Sequence, residues 1–224
     1  PSSRGRCVRS RTMKFQEHDL AHKYLDGLVG IEIGGAAHNP FGLNTINVDV
    51  TEPGSPQRLL YDKSQIDLCG EALPVDVVAP GNLLPFDNKS YDFVIASHVI
   101  EHFFDPIGAL EEWGRVARKY LFIICPQPDA LPSDVGKPLT TPEETLLRHE
   151  MYVRKSHPLH GDGWEPEDLG IDQHWSRWTP PLFKQMLNHA GFWDVVEIQD
   201  PDDKVGNGFA VVVDLDAKPV PHSH

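Results

Sequence analysis

The stretch from Leu28 to Asp49 constrains the fold more than any other part of this chain. An apolar run through Gly30 and Ile31 ends on Glu32, then breaks into Gly34, Gly35, Ala36 and Ala37. A second apolar run, Ile46 to Val48, ends on Asp49. Short apolar runs bounded by turn residues are the pattern of buried parallel strands. Two such strands, each ending on a carboxylate beside a tight turn, frame a nucleoside-binding crevice. The small residues let the backbone approach a ligand, and a carboxylate after the second strand can accept both ribose hydroxyls. The residue types point to a ligand with an adenosine half.

The rest of the chain continues the strand–helix rhythm. Helical spacing over 17–27 places Leu20, Tyr24 and Leu25 on one face. Strands are expected at about 29–33, 45–50, 75–79, 92–97 and 120–125. Asp105-Pro106 is an N-cap followed by proline at the first helical position, and Ile107, Leu110, Trp113 and Val116 form the stripe of the helix it opens. Residues 127–178 break the rhythm: they are rich in Pro, Asp, Gly and His, with one helix opened by the capping box at Thr141-Pro142-Glu143-Glu144. An insertion of that length in a compact α/β unit is read as a lid or substrate loop. Thr179-Pro180-Pro181 opens a further helix that Gly191 ends, and strands at 193–199 and 208–215 close the sheet. The expected fold is α/β and Rossmann-like: a mostly parallel seven-stranded sheet with an antiparallel edge hairpin and helices on both faces.

A single domain over 1–224 is expected, with a mobile basic arm at 1–14 (Arg4, Arg6, Arg9, Arg11, Lys14) and a tail at 217–224. Pro1 as the first residue suggests that a piece of the natural N-terminus precedes it. The 33 acidic residues against 20 basic ones give a net charge of −13, which opposes nucleic-acid binding. The sequence holds no stretch long enough to span a membrane and no signal-peptide pattern. Cys7, Cys69 and Cys125 are too few and too scattered for a disulfide framework or a zinc knuckle, so a reducing, cytoplasmic location is expected. Homodimerisation stays open.

Two adenosine cofactors compete for the crevice. A dinucleotide fold needs G-x-G-x-x-G, so that a pyrophosphate sits on a helix N-terminus. Here the third glycine is missing and Pro40 falls where that helix would begin. S-adenosylmethionine carries no phosphate; it needs an open turn, a ribose carboxylate and an apolar slot for adenine. Glu32 and Asp49 suit it.

Further motifs sharpen the choice. They are Leu84-Pro85-Phe86, Tyr91-Asp92-Phe93-Val94, His98-Val99-Ile100-Glu101-His102, Asp105-Pro106, Ala109-Leu110-Glu111-Glu112 and Arg115-Val116, with Ala190-Gly191-Phe192 further on. In that order, over about 28–126, the chain resembles the class I S-adenosylmethionine-dependent methyltransferases. The resemblance implies that Glu32, Gly34, Gly35 and Ala36 form the turn beside the methionine moiety. By the same resemblance Asp49 takes the ribose hydroxyls, Gly81, Asn82 and Leu83 border the adenine, and Ser97 and His98 sit near the sulfonium. The chain departs from the family pattern at Ala36 and His38, where glycine is usual, and at Pro80, where an acid is common.

Methyl transfer is an in-line displacement, so positioning can supply much of the rate, and a base is needed only when the acceptor must lose a proton. His98 is the first candidate for that base, with His160 and His174 from the insertion behind it. Glu101 and His102 pack or hydrogen-bond within the fold on one reading. On a sharper one they join His98 and an insertion histidine (His149, His160 or His174) as a metal site, similar to the E-x-x-E-H arrangement of metal-dependent small-RNA methyltransferases. His98 stands where that arrangement has an acid, and no metal ligands are assigned. Trp164, Trp175 and Trp178 suit a planar or cationic acceptor. The expected activity is S-adenosylmethionine-dependent methylation of a small molecule, first at oxygen (a phenol, enol or N-hydroxyl of a natural product) and second at nitrogen. The alternatives are a metal-assisted RNA methyltransferase, a non-catalytic cofactor-binding partner subunit and, more distantly, a dehydrogenase.

Overall fold

The computed structural model describes residues 18–35, 41–166, 174–192, 194–204 and 206–216. The basic arm, the C-terminal tail, and Ala36, Ala37 and His38 of the first turn lie outside them. In chain order the elements are α1 (Asp19–Leu25), β1 (Gly30–Ile33), β2 (Thr45–Asp49), α2 (Pro56–Cys69), β3 (Val77–Val78) and β4 (Tyr91–Ser97). A 3-10 turn (Ile100–His102), α3 (Pro106–Val116), β5 (Ala117–Pro126) and α4 (Pro142–Arg154) follow. The chain continues through β6 (Ser156–His157), β7 (Gly161–Asp162), α5 (Pro180–His189), β8 (Val195–Gln199) and β9 (Gly208–Asp214). No helix among the described residues is long and apolar enough to cross a membrane.

Seven strands form one sheet in the order β3-β2-β1-β4-β5-β9-β8, while β6 and β7 make a separate two-stranded ribbon. β1, β2, β3, β4 and β5 pair in parallel, and β9 runs antiparallel to both β5 and β8. The strand order reverses between β1 and β4. At such a switch point the connections leave toward opposite sides and open a crevice at the carboxyl ends of the strands.

Side chains alternate across the sheet and build two cores. Val94 and Ala96 of β4 join Ile31, Leu110, Trp113 and Phe183 on one face. Phe93 and Ile95 join Leu25, Phe41 and Phe122 under α1 on the other. Three of the four long helices have a filled N-cap followed by proline. Ser55 Oγ accepts from Arg58 N, Asp105 Oδ1 from Gly108 N, and Thr141 Oγ1 from Glu144 N. Each such bond contributes about 1 kcal/mol.

Two expectations need correction. The helix α2 is absent from the sequence reading because its pattern is inverted: Arg58 and Gln65 are buried while Leu59, Leu60 and Ile66 are exposed. β3 is two residues long, not five, because its pairing with β2 is confined to Val48–Val77 and Asp49–Val78.

Candidate functional site

The first wall of the crevice is the turn after β1. Gly34 has φ +67, and a Cβ there would meet Val99 Cγ2 at 2.8 Å. A Cβ on Gly35 would lie 2.5 Å from Asn47 Oδ1. Only glycine fits either position without displacing a neighbour. Asn47, on β2, donates from Nδ2 to the carbonyls of Gly35 (3.1 Å) and Pro74 (2.7 Å), tying the turn to the segment before β3. The sequence reading did not single out Asn47, since nothing local tells a strand asparagine which carbonyls it will meet.

Glu32 is buried at the end of β1, where Thr45 Oγ1 donates to Oε2 at 3.4 Å. Its other oxygen, Oε1, is buried with no hydrogen-bond partner among the described residues. Burial pushes this carboxyl up to about 7, with Lys204 and Thr45 acting in the opposite direction. An orphaned acid oxygen beside a turn that admits no Cβ fits the amino end of a bound S-adenosylmethionine.

Asp49 sits at the tip of β2 as expected, but its carboxylate already has protein partners. Oδ1 accepts from Thr51 N (2.8 Å) and Thr51 Oγ1 (2.7 Å), and Oδ2 from Arg58 Nη1 (3.2 Å). Arg58 is buried and also binds Asp62 (2.7 Å) and the Leu73 carbonyl (3.0 Å). An ionised carboxylate offers about four lone-pair sites, so one remains for a ribose hydroxyl.

The segment expected to border adenine is held by α3. Trp113 Nε1 donates to the Gly81 carbonyl (2.7 Å), and Leu84 N donates to Glu112 Oε1 (2.6 Å). Arg115 grips Glu112 and also reaches the carbonyls of Leu84 (3.1 Å) and Phe86 (2.8 Å). Glu112 and Arg115 thus tie the Leu84-Pro85-Phe86 segment to α3 through its backbone. A Cβ on Gly81 would meet Ile33 at 2.9 Å and Phe103 at 3.0 Å, Asn82 is half-buried, and Leu83 is 70% exposed.

Ser97 is buried at the end of β4, and His98 N donates to the Ile124 carbonyl at 2.9 Å. His98 has φ +55, a left-handed conformation that costs a non-glycine residue about 1 kcal/mol or more. The turn it makes leads to Val99, which packs on Gly34, so the loops after β1 and β4 touch.

The insertion folds onto the segment that follows. Trp175 N and Ser176 N donate to the Glu101 carbonyl (2.9 and 3.2 Å), and Arg148 binds the Trp175 carbonyl (3.0 Å) and Ser176 Oγ (2.7 Å). Arg177 gathers the carbonyls of Pro128, Lys137 and Pro138. Phe104 meets Trp164 and Trp175 edge-on at 5.2 and 5.0 Å, whereas Trp178 belongs to the core with Phe183.

The three histidines expected as bases have different surroundings. His174 Nδ1 lies 2.5 Å from Asp134 Oδ2 and its Nε2 3.8 Å from Glu101 Oε1. His160 is exposed on the turn between β6 and β7, its ring 4.5 Å from that of His157. His98 alone sits at the tip of a parallel strand. His149 is structural, for its Nδ1 lies 3.0 Å from the Asp105 carboxylate that caps α3. Burial pushes Glu101 up to about 8, with Asp134 adding to the shift.

Residues 39–124 match the sequence model of a methyltransferase domain. No curated protein matches the chain. A protein of Pyrococcus horikoshii superposes over 88% of this chain and 86% of its own, with TM-score 0.51 and 15% identity. The Burkholderia thailandensis 1,6-didemethyltoxoflavin-N1-methyltransferase, solved with S-adenosylhomocysteine, covers 88% and 75%, with TM-score 0.51 and 14% identity. A chain from the Haloferax volcanii complex containing the Trm112 methyltransferase activator covers 88% of each, with TM-score 0.50 and 15% identity. At these identities the superpositions speak for the fold alone. The matched residues 39–124 run from the end of the first turn through β2, β3 and β4 into β5, so the match and the crevice at the carboxyl ends of the strands fall on the same part of the chain.

Proposed function

We propose that the protein methylates an oxygen of a small organic acceptor: a phenol, an enol or an N-hydroxyl. The observation that carries this reading is the packing of Trp164 and Trp175 on Phe104, which brings the insertion down on the segment after β4. An aromatic wall suits a planar acceptor, while a net charge of −13 suits a polyanion poorly. The Burkholderia enzyme is an N1-methyltransferase of 1,6-didemethyltoxoflavin, and nitrogen is the second choice of acceptor atom here.

In this reading the residues divide the work. Glu32 holds the cofactor's ammonium end beside Gly34, Gly35 and Ala36, Asp49 holds the ribose, and Gly81, Asn82 and Leu83 flank the adenine. The bound cofactor supplies a methyl group on a sulfonium. Ser97 and His98 border the space into which the acceptor oxygen is aimed, and His98 takes its proton. Such a base contributes about 10²- to 10⁴-fold, and alignment can contribute more. His174 is less suited to that step, since one of its nitrogens is engaged with Asp134, and His160 stands on an exposed ribbon.

The test is turnover of S-adenosylmethionine against matched panels of phenols, hydroxamates, amines and RNA, read as S-adenosylhomocysteine release and product mass. Methylated phenols or hydroxamates support the proposal. Methyl groups on RNA alone, or on amines alone, overturn it.

A further inference from the structure

The 3-10 turn after His98 and the end of the insertion bring three donor groups together. Glu101 Oε1 lies 3.8 Å from His102 Nε2 and 3.8 Å from His174 Nε2, and the three donor atoms are all within 4.8 Å of one another. The Glu101 side chain is 1% exposed, and among the described residues no other group donates a hydrogen bond to either of its oxygens beyond its own backbone N–H. A buried carboxylate that accepts so little is costly, and folded proteins leave few of them.

His174 supplies an independent observation. Its Nδ1 is 2.5 Å from Asp134 Oδ2, and Asp134 is itself buried and paired with Lys137 at 3.0 Å. A carboxylate on Nδ1 fixes the tautomer and turns the Nε2 lone pair outward, which is the arrangement behind histidines that ligate metal ions. That lone pair faces Glu101 and His102. The backbone bonds from Trp175 and Ser176 to the Glu101 carbonyl lock His174 in register with the turn.

We propose that Glu101, His102 and His174 form a binding site for a divalent transition-metal ion of the zinc type, with Asp134 as the carboxylate that orients His174. Two imidazoles and one carboxylate are a donor set such ions accept, with bonds of about 2.0–2.2 Å. Donors bound at that length in tetrahedral geometry stand about 3.4 Å apart, so binding draws the three groups together by less than about 1.5 Å. His102 is the most exposed of the three, its side chain 27% accessible against 5% for His174 and 1% for Glu101. Three protein ligands leave a position open for water or for an acceptor oxygen. The inference concerns ion binding and stands apart from the choice of methyl acceptor.

The experiment titrates zinc chloride into chelator-treated full-length protein by calorimetry and cobalt chloride by visible absorption. One ion per chain is expected, with ligand-field bands from the cobalt form. D134N should weaken zinc binding by about 10- to 100-fold, and E101Q, H102A and H174A by more. Circular dichroism establishes that each variant is folded, and H102A, at a part-exposed position, keeps the test decisive if E101Q does not fold. An ion held instead by His222 and His224 of the C-terminal segment would survive all four substitutions. That result, or no stoichiometric binding, overturns the proposal.

Discussion

Asp49 is asked to do two things at once, and Asp49→Ala separates them. In the structure its carboxylate accepts from Thr51 N and Oγ1 and faces Arg58 Nη1 at 3.2 Å. Removing one member of a buried ion pair typically costs about 3–5 kcal/mol. Arg58 keeps Asp62 at 2.7 Å and the Leu73 carbonyl, so its share falls to about 1–2 kcal/mol. Leaving the Thr51 donors unmatched adds about 1–2 kcal/mol, for a total near 3 kcal/mol in urea unfolding. Asp49→Asn keeps an acceptor for Thr51 and should cost about 1 kcal/mol. Affinity for S-adenosylhomocysteine, measured by calorimetry on folded protein, should fall by about 1.5–3 kcal/mol in Asp49→Ala, which is about 10- to 150-fold. Unchanged affinity would refute the ribose assignment whatever the stability. Unchanged stability would refute the claim that Asp49 anchors Arg58.

Four further outcomes are expected. Glu32 is raised to about 7 and serves a cationic group only when ionised, so affinity for S-adenosylhomocysteine should rise about tenfold from pH 6 to pH 8; a flat profile would count against that contact. The same raised pKa means the folded state holds a proton that the unfolded state loses above about 4.5, so this group lowers stability as pH climbs from about 4.5 to 7, and Glu32→Gln should flatten that decline. Gly35→Ala, whose new Cβ would lie 2.5 Å from Asn47 Oδ1, should weaken cofactor binding by about 1–3 kcal/mol, and wild-type affinity would show that Asn47 yields freely. Arg177→Ala should speed proteolysis within 128–140, because several loop carbonyls lose a buried donor, with a stability loss of about 3 kcal/mol; an unchanged cleavage pattern would contradict the bracing role.

Much of the scaffold was legible because its signals are local. Asp105-Pro106 and Thr141-Pro142 each combine a capping side chain with a preset φ, and both helices begin there. Thr179-Pro180 also opens a helix at the expected place, although no side chain caps it. Ser55-Pro56 carries the same signature, but with Arg58 inside and Leu60 outside there was no apolar stripe to follow. β5 begins at Ala117 rather than Tyr120, since pairing with Tyr91 draws three polar-flanked residues into the sheet. The site was less legible. Nothing in the spacing of Asn47, Arg58 or Asp134 announces the carbonyls, carboxylate and imidazole they meet. His149 and His174 look alike along the chain, yet one binds a helix cap and the other faces Glu101. Long-range pairing decides roles in such cases, and a single sequence does not carry it.

The most direct test is a crystal structure of the complex with S-adenosylhomocysteine. The adenosyl group should lie over the carboxyl ends of β1, β2 and β4, its amino end within hydrogen-bond distance of Glu32 and its ribose within reach of Asp49. Density for the ligand anywhere else on the molecule would contradict the account.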